Sequence, residues 1–290
     1  NKFTETYKKA IMKRIIAAFD GLKYSASTRD YAIALAKGTN MHLTAVFLDD
    51  FTYTSYKVYE LITKDGVSEK KLKQLAQKDA DIRKKAAADM ENTCRKAGIR
   101  YNVHHDKMIA LKELLHESIY ADLLIIDSSE TLTHYEETLP TRFIRDLLAE
   151  VQCPVLLVPK KYRPVKQISL LFDGGPSAVH AIRMFSYMYP VTDNIPVEVL
   201  SVKGMSRDKH LPDNNLMREF IRYHFPRATF KVLKGLPEME IVRYLHSTNK
   251  NPLVVLGAYR RGAVSRWFKA SMADELMLEL DAPLFIAHSK

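Results

Sequence analysis

Cysteine is scarce: the 290 residues contain only two, Cys94 and Cys153, far apart and at no metal-ligand spacing. A disulfide scaffold needs more of them, so both are expected to be buried thiols. The ten histidines include no H-x3-H pair. The doublet His104-His105 falls in a strand-like alternation that sends its two rings to opposite faces, and a metal site is not expected. Apolar runs of the ~18 residues that a membrane span requires are missing. So are low-complexity tracts, the 12 Pro and 10 Gly being scattered. Residues 1–14 are polar and basic without an apolar core, from which a cytoplasmic protein is expected. Catalytic signatures are wanting too: there is no G-x-S-x-G elbow, no G-x4-G-K-[ST] loop and no carboxylate pair that spacing brings together.

What is present is enough apolar material, 47% of the chain, for two domains that each bury a core. The net charge of +10 is unevenly shared. Residues 1–159 hold 24 Lys and Arg against 22 Asp and Glu, whereas residues 160–290 hold 20 against 12. No helix-turn-helix, zinc finger or aromatic-rich RNA-binding signature accompanies this excess, so nucleic acid is not the expected partner.

The chain repeats itself. The segment 253-LVVLGAYRRGAVSRWFKASMADELMLELDAPLFIAHS answers 124-LIIDSSETLTHYEETLPTRFIRDLLAEVQCPVLLVPK without a gap, 129 positions earlier. QISLLFDGG (167–175) matches KRIIAAFDG (13–21), PVEVLSV (196–202) matches HLTAVFL (42–48), and ATFKVLKG (228–235) matches the strand-like stretch after Gly98. Asp20 to Asp173 is 153 positions, so the first half carries about two dozen extra residues in Tyr53–Ala97. Apolar positions there recur at helical spacing, and Gly98 suits a helix end that takes positive φ. Ser27, with Asp30 three residues on, reads as the cap of the first helix. Each half thus alternates five strands with helices. The expected fold is α/β, two tandem doubly wound domains with parallel five-stranded sheets and helices on both faces. The expected domains are 1–159 and 160–290, joined through 159-PKKYRPVK. Asp20 and Asp173 should end the first strands, and Ser128 and Gly257 the fourth. In such sheets the ligand crevice lies beyond strand carboxyl ends where the order reverses.

The Asp-Gly strand ending, the CPVLLVP close of the first half and the spacing of the loop after the fourth strand resemble the universal stress protein family, in its tandem form, over nearly the whole chain. The resemblance implies the strand order 3-2-1-4-5 and, in nucleotide-binding members, a G-x2-G-x9-G-[ST] loop. In that loop backbone N–H groups and a helix N-terminus cradle phosphate. Position by position, the second half has Gly257, Arg260, Ala270 and Ser271. Spacing is kept while two of three glycines are lost. Arg260 reads either as a guanidinium clamp, helped by Arg261, Arg266 and Lys269, or as bulk that bars close backbone approach. Ser271-x-x-Asp274 also reads as an ordinary helix cap. The first half has Ser128, Thr131, Thr141 and Arg142 there, with Glu130, Glu136 and Glu137 in a loop that should repel phosphate. The resemblance further implies Asp173, with Gly174 beside it, near the adenine or ribose, and the Val202 backbone at the adenine edge. Asp20 and Leu48 stand at these places in the first half. Asp173-Gly174-Gly175 also reads as a simple turn.

The resemblance and the residues together point to a stress-response module that binds ATP or another adenine nucleotide in its second domain, or binds protein partners, rather than one that turns over substrate. A slow ATP hydrolase is the first alternative. A degenerate scaffold without nucleotide is the second, its two halves paired as a pseudo-dimer through the apolar edges Val155–Val158 and Leu284–Ala287.

Overall fold

The computed structural model describes residues 12–37, 41–49, 69–106, 109–189, 195–204, 210–248, 250–257 and 272–287. In chain order the first half runs β1 (Lys13–Asp20), α1 (Ala26–Lys37), β2 (Met41–Leu48), α2 (Glu69–Ala97), β3 (Arg100–Asp106), α3 (Ala110–Ser118), β4 (Leu123–Asp127), α4 (Arg142–Glu150) and β5 (Val155–Val158). The second runs β6 (Gln167–Leu171), α5 (Pro176–Met188), β7 (Val197–Lys203), α6 (Asn214–His224), β8 (Thr229–Lys234), α7 (Pro237–Ser247), β9 (Pro252–Gly257), α8 (Met272–Glu279) and β10 (Leu284–Ala287).

The strands read as near-continuous apolar runs because both faces of the sheet are covered. Ile15, Ala17 and Phe19 pack with Ala32, Leu35, Met90 and Cys94 of α1 and α2. Their neighbours Ile16 and Ala18 pack with Leu114, Ile144 and Leu147 of α3 and α4. The second half divides likewise, α5 and α6 on the first face and α7 and α8 on the other.

Within each half the strands are parallel in the order 3-2-1-4-5. The two sets join into one ten-stranded sheet, β3-β2-β1-β4-β5-β10-β9-β6-β7-β8. The junction is antiparallel, Leu156 of β5 standing opposite Phe285 of β10. Carboxyl ends of the two halves therefore open at opposite ends of the sheet. The connecting segment is tied to both halves: the Tyr31 hydroxyl donates to the Arg163 carbonyl at 3.0 Å, and Arg163 pairs with Asp281 at 2.7 Å.

Several local details match the sequence expectations and several do not. Gly98 takes φ +67 just past α2. His104 and His105 do face opposite ways, toward Glu117 at 3.0 Å and Asp49 at 3.3 Å. Both cysteines are free and buried, and burial pushes their thiols up to about 11 for Cys94 and about 12 for Cys153. The cap of α1, however, is Ser25 rather than Ser27. Its hydroxyl accepts from Thr28 N at 3.2 Å, while buried Ser27 donates to the Pro159 carbonyl at 2.6 Å. Strand ends also shift. β4 stops at Asp127, one residue before Ser128, and β6 stops at Leu171, two before Asp173. Within Tyr53–Ala97 the helix covers Glu69–Ala97; positions 53–68 lie outside the described residues.

Candidate functional site

Beyond the carboxyl ends of β6, β7 and β9 lies a cavity of about 280 Å³ whose walls include Asp173, Val202 and Gly257. Three of the residues singled out by sequence thus meet in one crevice. Apolar walls come from Phe172, Ile241 and Met272, and Glu238 adds a second carboxylate. The positions Arg260, Arg261, Ala270 and Ser271 lie outside the described residues.

Strand register exposes the Val202 backbone. In a parallel strand, residues i and i+2 direct both their N–H and C=O to the same neighbour. The Leu200 carbonyl accepts from Phe172 N at 2.9 Å, so Leu200 and Val202 both face the β6 side. Lys203 faces the other way, its carbonyl accepting from Gly235 N at 3.1 Å. Pairing of β6 with β7 runs only as far as Leu171 opposite Leu200. Val202 therefore presents one donor and one acceptor past the end of β6, into the crevice.

Asp173 does form a turn: its Oδ1 accepts from Gly175 N at 2.7 Å. It is exposed and also lines the cavity, so turn and wall are one residue. Gly174 serves that turn with φ +87, where a side chain would be strained and would press on Pro212. Gly257 has a packing reason of its own. A Cβ there would stand 2.4 Å from the Ser177 backbone, so the glycine lets β9 end directly against the first turn of α5.

The first-half counterpart is built differently. Pairing of β1 with β2 continues to Asp20 opposite Leu48, the register that in the second half would set Asp173 opposite Val202. The edge left open at Val202 is thus covered at Leu48, which is buried. Asp20 makes the same turn as Asp173, accepting from Leu22 N at 2.7 Å, yet it is only 1% exposed. The loop after β4 flanks a polar cavity of about 480 Å³ with Lys23, Asp127, Glu130, Glu136, Glu137 and Lys160 in its walls.

The loop holds itself together. Asp127 Oδ1 accepts from Ser129 N at 2.9 Å, and Oδ2 accepts from the Ser25 hydroxyl at 2.8 Å. Glu130 is buried, its Oε1 accepting from Thr131 N and Leu132 N, both at 2.9 Å. Burial, reinforced by the Asp20 carboxylate, pushes its carboxyl up to about 7 against the pull of those N–H groups and of Lys23. Lys23 reaches across to the Thr131 hydroxyl at 3.3 Å and to the Thr133 carbonyl. Among the described residues no group of three His, Cys, Asp or Glu could hold a metal ion.

Sequence reasoning missed Glu238 and Lys23. Pro237-Glu238 after Gly235 carries a signal, since Pro in the first turn followed by an acid marks a helix opening just past a strand. Nothing comparable marks Lys23.

A doubly wound sheet with its crevice at the strand-order reversal places the chain among α/β proteins that receive ligands at strand carboxyl ends. The family model described as the universal stress protein family matches residues 12–159, and the chain belongs to that family. Among solved structures it is similar to a universal stress protein from Archaeoglobus fulgidus. Identity is 15% over 95% of this chain and 96% of that one, with a TM-score of 0.64. A functionally unknown protein from Pseudomonas aeruginosa PAO1 is 13% identical over 95% and 92%, with a TM-score of 0.57. At such identities the likeness is one of fold. No curated protein matches the sequence. Among the described residues no helix is long and apolar enough to cross a membrane.

Proposed function

We propose that the chain is a cytoplasmic stress-response module of two domains, 1–159 and 160–290, whose second domain binds ATP or another adenine nucleotide. Binding, to nucleotide or to a protein partner, rather than turnover is its role. The observation that carries this reading is the unpaired reach of Val202 past β6. It offers an N–H and a C=O side by side to a flat base that itself carries an acceptor next to a donor, as adenine does at N1 and N6. The apolar walls suit the faces of such a base, and the volume of about 280 Å³ sits near the lower limit of ligand clefts, ~300 Å³. Asp173 at the rim suits a ribose hydroxyl. Gly257, Arg260, Ala270 and Ser271 retain the spacing of the family's phosphate loop, and Arg261 adds a second cation next to Arg260 in the sequence. The antiparallel β5–β10 junction supports treating the two domains as an internal pseudo-dimer.

Calorimetric titration of ATP into the intact chain, Asp173→Ala and Arg260→Gly tests the reading. Saturable binding by the intact chain at one site, weakened about tenfold or more by Asp173→Ala, is expected for a lost hydrogen-bonded contact. Absence of binding in the intact chain with recovery in Arg260→Gly would show that the arginine closes the site and would end the nucleotide reading.

A further inference from the structure

We propose that the first half occupies its own cradle: the side chains of Glu130 and Glu137 fill the donor positions that the repeat equates with a phosphate cradle, and so hold that loop closed to phosphate. The inference stands whether or not the second half binds a nucleotide.

The 129-residue offset sets Thr131 opposite the second glycine position of the cradle and Arg142 opposite its final hydroxyl position. At each, the backbone N–H that would meet phosphate is taken. Thr131 N and Leu132 N converge on one oxygen, Glu130 Oε1, at 2.9 Å each. Just beyond them Leu132 takes a φ of +48, and the next N–H, that of Thr133, meets the Thr131 hydroxyl at 3.3 Å. A non-glycine residue in that conformation is strained, so neighbouring contacts must hold it. Here the contacts are the Glu130 oxygen and burial of the Leu132 side chain. At the second position Arg142 N, the first N–H of α4, donates to Glu137 Oε2 at 2.7 Å. The next turn is closed by Thr141, which accepts from Ile144 N at 3.2 Å and donates to the Glu130 carbonyl at 2.5 Å. One residue thus links the Glu130 turn to the helix start.

The loop is also tied from outside. Lys23, one of two lysines in the walls of this cavity, is engaged with Thr131 and Thr133. A phosphate entering here would have to evict two carboxyl groups and then sit beside Asp127 and Glu136 as well as Lys160. Occupied donors, rather than the lost glycines alone, close the site.

Amide signals of the isotope-labelled full chain test this, with inorganic phosphate as the probe. In the native chain Thr131, Leu132 and Arg142 should exchange slowly with solvent and stay unmoved by phosphate. In Glu130→Ala/Glu137→Ala they should exchange about tenfold faster and shift saturably with phosphate. Glu130→Gln, which keeps the acceptor oxygen, should leave Thr131 and Leu132 protected. Saturable phosphate shifts at these amides in the native chain would overturn the proposal, as would native exchange rates in the folded double variant. Should the double variant unfold, the exposed-site change Glu137→Ala decides: faster exchange at Arg142 alone supports the proposal, and an unchanged rate refutes it.

Discussion

Glu130 shows how one side chain can be set against its surroundings. It is buried beside Asp20, which opposes its ionisation, yet two N–H groups and Lys23 favour the charge. The balance leaves its carboxyl at about 7, above the ~4.3 of an unfolded chain. The folded chain therefore keeps this proton longer than the unfolded one. Its contribution to stability is whole below about pH 4, declines as pH rises through the window up to about 7, and is then lost. Urea denaturation of native protein is expected to show a loss of roughly 1–3 kcal/mol between pH 5 and pH 8 that is absent from Glu130→Gln. Equal slopes for the two proteins would mean that Glu130 does not titrate in this window.

At the level of elements, the contact between β9 and α5 sets the shape of the second crevice. Since the atoms facing Gly257 belong to the Ser177 and Ala178 backbone, no rotamer change can make room for a methyl group. Gly257→Ala should cost about 1–3 kcal/mol as overpacking does, seen as an earlier thermal transition with or without ATP. An unchanged transition would show that α5 yields freely. The same elements show what sequence could reveal. The buried runs Ile15–Phe19 and Leu253–Leu256 and the 129-residue repeat made the parallel strands and their alternation with helices legible, because period and apolar length survive divergence. That Asp173 and Gly257 flank one crevice was legible too, since strand ends converge in this fold, while Val202 was singled out through the family resemblance. The lengths of the ladders were not: Leu48 and Val202 look alike in sequence, and only pairing distances tell that one is covered and the other open. Nor was the occupation of the first cradle, because Glu130 reads as a charge on a loop until its oxygen is found beneath two N–H groups. The misplaced cap at Ser27 had the same origin, Ser25 and Ser27 being equally good caps until Asp127 and Pro159 are brought beside them.

For the molecule as a whole, the junction between β5 and β10 carries the two halves into one sheet. Besides the pairing of Val155–Leu157 with Leu284–Ile286, Tyr31 of the first half donates to the Arg163 carbonyl at 3.0 Å. Proteolytic cleavage within residues 159–166 should leave a particle that still elutes near 33.3 kDa. Two separate fragments in dilute buffer would mean that the covalent link, not the sheet, holds the halves together.

The reversal of direction at that junction gives the molecule a polarity. One end presents a crevice with an open backbone edge, the other a polar cavity whose backbone donors are held by its own acids, and the width of the sheet stands between them. A single small ligand cannot touch both. The molecule thus has two unlike ends rather than two copies of one site.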